Sequence, residues 1–175
     1  MRISTIAATL VFCCVGRFGD TQSTPIPPVH GTVLTGQTVD LPAALKGKTG
    51  IFVLGFSQAS RDQVTEWGKR LAGDYRGSET VIYFEMPVLE SVPRILRGFV
   101  TKKMGESVPD RAKNTFLPVL DHEADWKVAT GFKKSDVAYV VGVDGAGVVH
   151  GRVSGPASDA TFGEVKRLVG ELQAK

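Results

Sequence analysis

Apolar residues fall along this chain in two kinds of pattern. Apolar-rich runs at 51–54 (Ile51, Phe52, Val53, Leu54), 80–86 and 137–143 have no helical spacing and suit strands buried on both faces of a sheet. Between them, apolar positions recur at helical spacing. The sets are Val64, Trp67 and Leu71; Ile95, Leu96, Phe99 and Val100; and Phe162, Val165, Leu168, Val169 and Leu172, while Trp126 and Val128 sit in a predicted short helix. Turn-forming residues punctuate the two patterns. A helix is predicted over 57–73, with Ser60 as N-cap, Gln63 completing a capping box, and Gly73 and Gly77 as stop signals. Pro93 starts a second helix, broken at 105–110. The stretch 116–120 reads as a short extended piece interrupted by Pro118, and Gly131 ends a short helix. Asp144-Gly145-Ala146-Gly147 turns 137–143 back into a strand at 148–153. After Gly155-Pro156, Ser158 or Asp159 caps a last helix. Upstream, 32–34 and 38–41 read as a small hairpin turning at Gly36, followed by one helical turn at 42–45.

The order is strand, helix, strand, then helices, a hairpin and a final helix. It predicts an α/β domain with a mixed central sheet, flanking helices and an N-terminal hairpin. The first half requires a right-handed crossover and a parallel pair, and the second adds an antiparallel hairpin. A length of 175 residues suits one such domain, and no internal repeat divides it.

The first residues read differently. Arg2 is followed by the uncharged, largely apolar stretch 3–16. Residues 1–16 therefore predict a secretory signal peptide, with Gly16 or Gly19 at the cleavage point, or else a short retained anchor. Phe12, just before Cys13, argues against a lipidated cysteine at Cys13 or Cys14. Residues 17–30, with Pro25, Pro27 and Pro28 among Thr and Ser, predict a flexible linker, which leaves 31–175 as the domain. Export is the expected fate, to a periplasm or a membrane-anchored state, or to mitochondria in a eukaryote.

Composition narrows the chemistry. Net charge is only +3, which excludes a bulk electrostatic nucleic-acid binder. Both cysteines, Cys13 and Cys14, lie in the leader-like segment, so the domain holds no disulfide framework, no cysteine zinc site and no Cys-x-x-Cys pair.

The layout resembles the thioredoxin-like and peroxiredoxin-like superfamily, a three-layer fold. Three pieces carry the likeness: 34–48 as the N-terminal hairpin, 51–56 as the first central strand, and 138–152 with Gly155 as the final hairpin. In active members of that superfamily, reactive cysteines follow the first central strand and a cis-proline precedes the final hairpin. Here those places hold Ser57-Gln58-Ala59-Ser60 and Val137-Ala138. A serine hydroxyl forms no disulfide and supplies no thiolate. The resemblance therefore implies a redox scaffold without its dithiol. A narrower likeness is to the mitochondrial ATP-synthase assembly factors of the Atp-ten type. It rests on the 54–67 stretch ending in Trp67, on 81–85, and on the basic helix 95–103.

Other candidates are weaker. Ser57 and Ser60 could hold an anion at a helix start, but plain capping explains them as well. A serine nucleophile needs a base, and no Gly-x-Ser-x-Gly elbow is present. Of the histidines, His30 falls in the expected linker and His150 in the outer hairpin, while only His122 could approach the turn. Asp121, His122, Glu123 and Asp125 match no metal-ligand spacing and read as a solvated turn. No metal or cofactor is expected. Trp67 reads as core, and 105–116 as a mobile loop. The helix bearing Arg94, Arg97, Lys102 and Lys103 has two readings: an ordinary core helix with a solvated basic side, or a face that docks on an anionic membrane or an acidic partner. The expected function is a non-catalytic, exported domain that binds a protein partner during assembly or folding of a membrane complex. Its contact surface would be Phe56, Ser57, Gln58, Ala59, Ser60, Val137 and Ala138. The alternative is a redoxin-class oxidoreductase or peroxidase with a degenerate site.

Overall fold

A computed structural model describes residues 24–174. Its central strand, β4 (Thr49–Gly55), is buried at every position, as its unbroken apolar run requires. The strands take their numbers from chain order: β1 (Thr24–Pro25), β2 (Val29–Thr32), β3 (Thr38–Leu41), β5 (Val81–Pro87), β6 (Ala138–Val143) and β7 (Val148–Ser154). The main sheet runs β1-β7-β6-β4-β5, and β2 with β3 forms a separate hairpin. β4 pairs parallel with β5 and antiparallel with β6, which pairs antiparallel with β7. The sheet is therefore mixed, as expected.

Successive side chains of β4 point to opposite faces. Ile51 and Val53 pack against α1 (Arg61–Tyr75) and α4 (Asp159–Gln173), through Val64, Trp67, Leu71, Val165 and Val169. Phe52 and Leu54 pack against the β2–β3 hairpin and α3 (Glu123–Thr130), through Val29, Leu41 and Trp126. The result is three layers around one sheet. α4 starts at a capping box in which Ser158 and Thr161 hold each other's backbone N–H. It packs closely because Gly142 and Gly151, cross-strand partners, leave a notch for Leu168. A methyl group at either glycine would overlap that side chain.

The structure departs from the sequence expectation in three places. Residues 24–30 are part of the fold and not a linker. β1 pairs Thr24 and Pro25 with Val149 and Val148, Ile26 and Val29 are buried, and His30 lies in β2 bonded to Asp40. Prolines fit there because a sheet edge needs no N–H on its outer side. The remaining residues before 24, with Cys13 and Cys14, lie outside the described residues. Next, α1 runs through Gly73 to Tyr75, and the chain turns at Gly77 with φ +77. The predicted loop 105–116 is instead the end of α2 (Arg94–Ser107) and a 3-10 helix, Asp110–Thr115, braced by the Lys113–Asp110 ion pair. The stretch 116–119 is extended, as expected, and lies along the outer edge of β5. Leu117 N–H donates to the Glu85 carbonyl and Val119 N–H to that of Pro87. The alternate position between them needs no inward N–H, so Pro118 is accommodated.

Candidate functional site

β4 ends at Gly55, and the chain turns through Phe56 and Ser57 into a 3-10 turn, Gln58–Ser60, that feeds α1. Ser57 caps this turn, its Oγ accepting from Ala59 N–H at 3.2 Å. The same hydroxyl donates to the Ser135 carbonyl at 2.7 Å, which ties the turn to the segment before β6. Ser60 is fully buried, and its Oγ donates to the Ser57 carbonyl at 2.9 Å. It stands at the N-cap position of α1, but its side chain makes no cap bond, so the predicted capping box does not form. Gln63, the expected third member, instead accepts from Ala138 N–H at 3.1 Å. The structure thus brings the serine turn and the Val137–Ala138 segment together, as the sequence reading placed them. Gln58 and Ala59 are the exposed tip, Val137 is half-buried and Ala138 is buried.

Phe56 belongs to an aromatic cluster on the other side of the turn. It meets Phe132 edge-on at 5.0 Å and Tyr139 at 5.7 Å. Lys127 of α3 lies over Phe132, 4.9 Å from its ring centre, and pairs with Glu123 at 2.6 Å. The Tyr139 hydroxyl accepts from the N–H groups of Lys133 and Lys134 and donates to the Lys134 carbonyl. Lys127, Phe132, Ser135 and Tyr139 were not singled out from the sequence. The signals that could have found Phe132 and Tyr139 are an aromatic just after the Gly131 helix stop and another one place into a buried strand.

Neither serine is bonded to an imidazole or a carboxylate, so neither has a base to activate it. His122 sits at the start of α3 with φ 59 and bonds Asp125, while His150 bonds Asp144 at 2.7 Å. Burial raises the Asp144 carboxyl, but the bonds from His150 and from the Val148 and Ala146 N–H groups leave it below the usual range. Of the acidic cluster, Glu123 is taken up by Lys127 and Ser91 N–H. Among the described residues no group of His, Cys, Asp and Glu could hold a metal ion.

A buried carboxylate missed in the sequence lies inside the α1 layer. Glu85 of β5 presses against Gly68 of α1 and is 5% exposed. No ion pair or hydrogen bond to another described residue's side chain holds it, and burial pushes it up to about 7.

The basic helix is separate from the turn. Every side chain of α2 is at least partly exposed, so the core-helix reading fails. Arg94, Lys102 and Lys103 are exposed. Arg97 is not part of that surface. Its guanidinium turns inward and donates to the carbonyls of Glu90, Val92 and Leu120, fastening the helix to the loops beneath it.

No protein-family model matches the chain, and no curated protein matches it. Solved structures do. The thioredoxin domain of a thiol-disulfide oxidoreductase from Bacteroides vulgatus superposes with TM-score 0.58 at 17% identity, covering 84% of this chain and 96% of that one. The exposed lipoprotein thioredoxin of Streptococcus pneumoniae gives 0.56 at 10% identity, covering 81% and 98%. BsSco, of the Sco family of cytochrome c oxidase assembly proteins, gives 0.56 at 11% identity, covering 88% and 96%. At such low identity the likeness concerns architecture, and together with the three-layer arrangement it establishes that this chain has the thioredoxin-like fold.

Proposed function

We propose that this protein is a non-catalytic, exported thioredoxin-like domain that binds a protein partner during assembly or folding of a membrane complex. The observation that carries this is the turn after β4. It holds Ser57 and Ser60, and both hydroxyls are spent on backbone carbonyls of the same site. A dithiol exchange needs a thiolate at that place, and a serine nucleophile needs a base. The exposed tip Gln58–Ala59, flanked by Val137 and the Phe56 cluster, is left as a contact surface. The Sco-family likeness supports an assembly role, and the lipoprotein likeness supports export. Kinship with the ATP-synthase assembly factors rests on the sequence pattern alone.

Thiol-dependent reduction of an insulin disulfide by the full chain tests the catalytic half. The rate stays at blank for the wild type, while a Ser57→Cys/Ser60→Cys variant serves as a detectable control. Turnover by the wild type overturns the reading in favour of a redoxin-class enzyme. The binding half is tested by a photo-crosslinking residue at position 59 in the native host. One dominant protein adduct is expected, and its absence refutes partner binding at this turn.

A further inference from the structure

α2 is amphipathic in the reverse sense for a globular domain. Ile95 is 90% exposed, Phe99 62% and Leu96 49%, while Arg97 turns inward. On the helical wheel Ile95, Leu96 and Phe99 share the outward side with Lys102 and Lys103. Leu120 is 44% exposed, and its carbonyl is bound by Arg97, so it lies at the foot of the same helix. Four of the five exposed large hydrophobic side chains among the described residues therefore gather at one place. A cluster of this kind marks a binding surface, whereas scattered exposed apolar residues mean little.

Charge identifies the occupant. Residues 94–113 hold Arg94, Arg97, Lys102, Lys103, Arg111 and Lys113 against Glu106 and Asp110, a net +4. The whole chain is +3, so everything outside this segment sums to −1. Arg94, Lys102 and Arg111 have no acidic partner among the described residues. Lys103 pairs with Glu106 at 2.8 Å across an exposed turn of the helix, and its Nζ lies 6.0 Å from the Phe99 ring, so its stem lies beside the apolar trio. Bulky apolar side chains interleaved with cations on one outward face are the make-up of an interfacial helix, whose apolar groups enter the acyl boundary while lysines meet lipid phosphates.

We infer that α2 docks the domain on an anionic lipid surface, with Ile95, Leu96 and Phe99 inserted and Arg94, Lys102 and Lys103 on the headgroups. This surface is distinct from the serine turn and does not depend on what that turn binds. The test is co-sedimentation of the full chain with vesicles of phosphatidylcholine alone or mixed with phosphatidylglycerol. Wild type is expected to bind the mixed vesicles more tightly, with binding weakened by salt. Ile95→Ser/Phe99→Ser and Lys102→Glu/Lys103→Glu should each reduce that binding about tenfold or more. Both variants change exposed side chains, and circular dichroism checks that the fold is kept. Equal binding of wild type and either variant to the mixed vesicles overturns the inference. So does a vesicle-free dimer that Ile95→Ser/Phe99→Ser dissolves, because it assigns the face to a second copy of the chain.

Discussion

Glu85 offers a quantitative test of how the α1 layer is packed. Its carboxyl is raised from 4.5 to about 7 by burial, with no ion pair to offset it. The folded chain therefore holds this proton more tightly than the unfolded chain does. Below pH 4.5 both states are protonated, and the group adds nothing to the pH dependence. Between 4.5 and about 7 the folded state binds more protons, so stability falls as pH rises. Above that window both states are ionised and the full loss persists. A shift of that size corresponds to about 3 kcal/mol, since one pKa unit is worth about 1.4 kcal/mol. Glu85→Gln removes the titration while keeping the shape. Its buried amide lacks partners too, which costs about 1–3 kcal/mol at every pH. The informative quantity is thus the change of the mutant–wild-type difference with pH. Urea unfolding followed by tryptophan fluorescence suits the purpose, because Trp67 and Trp126 are both fully buried. Between pH 4.5 and about pH 8 the variant should gain about 3 kcal/mol on the wild type. Parallel curves across that range would refute the claim that Glu85 is buried without a partner.

Three further outcomes follow from individual contacts in the core. Gly68→Ala pushes a methyl group into the Glu85 carboxylate and should cost about 2–3 kcal/mol, much of it recovered in Gly68→Ala/Glu85→Ala, as a double-mutant cycle by urea unfolding would show. Trp67→Phe should cost about 1–2 kcal/mol more than Trp126→Phe, because the Trp67 N–H donates to the Gly155 carbonyl at 2.9 Å while the buried Trp126 N–H has no partner among the described residues. Thermal unfolding of the two variants side by side decides this, and equal losses would contradict it. Gly151→Ala should destabilise by about 1–3 kcal/mol through displacement of Leu168, measurable by chemical denaturation, and Leu168→Ala should make the same change nearly neutral.

The sequence was most legible where local chemistry and burial agree. The unbroken apolar run of β4 announced a strand covered on both faces, and the cap expected at Ser158 or Asp159 and the Gly131 stop announced helix ends. The serine turn and the 137–138 segment were correctly placed side by side through the fold they imply. Other parts depend on tertiary contacts that no local pattern encodes. Apolar spacing in α2 showed that a stripe exists, but not that it faces outward, since that depends on where Arg97 finds its carbonyls. Gln63 fits a capping box by spacing, yet the unpaired Ala138 N–H across the turn holds it instead. β1 looked like linker because its two residues gain order by pairing with Val148 and Val149, at the far end of the chain.

The pairing order of the sheet also bears on how the chain is made. β4, buried at every position, finds one partner in β5 soon after it. Its other edge waits for β6, and so stays open until residues 138–143 have left the ribosome. Between the synthesis of β4 and that of β6 the nascent chain therefore carries an unpaired, strongly aggregation-prone edge, which makes this fold slow to close and dependent on its C-terminal third. Premature termination before β6 should leave a fragment that a holding chaperone must guard, however well its first strand–helix–strand unit is formed.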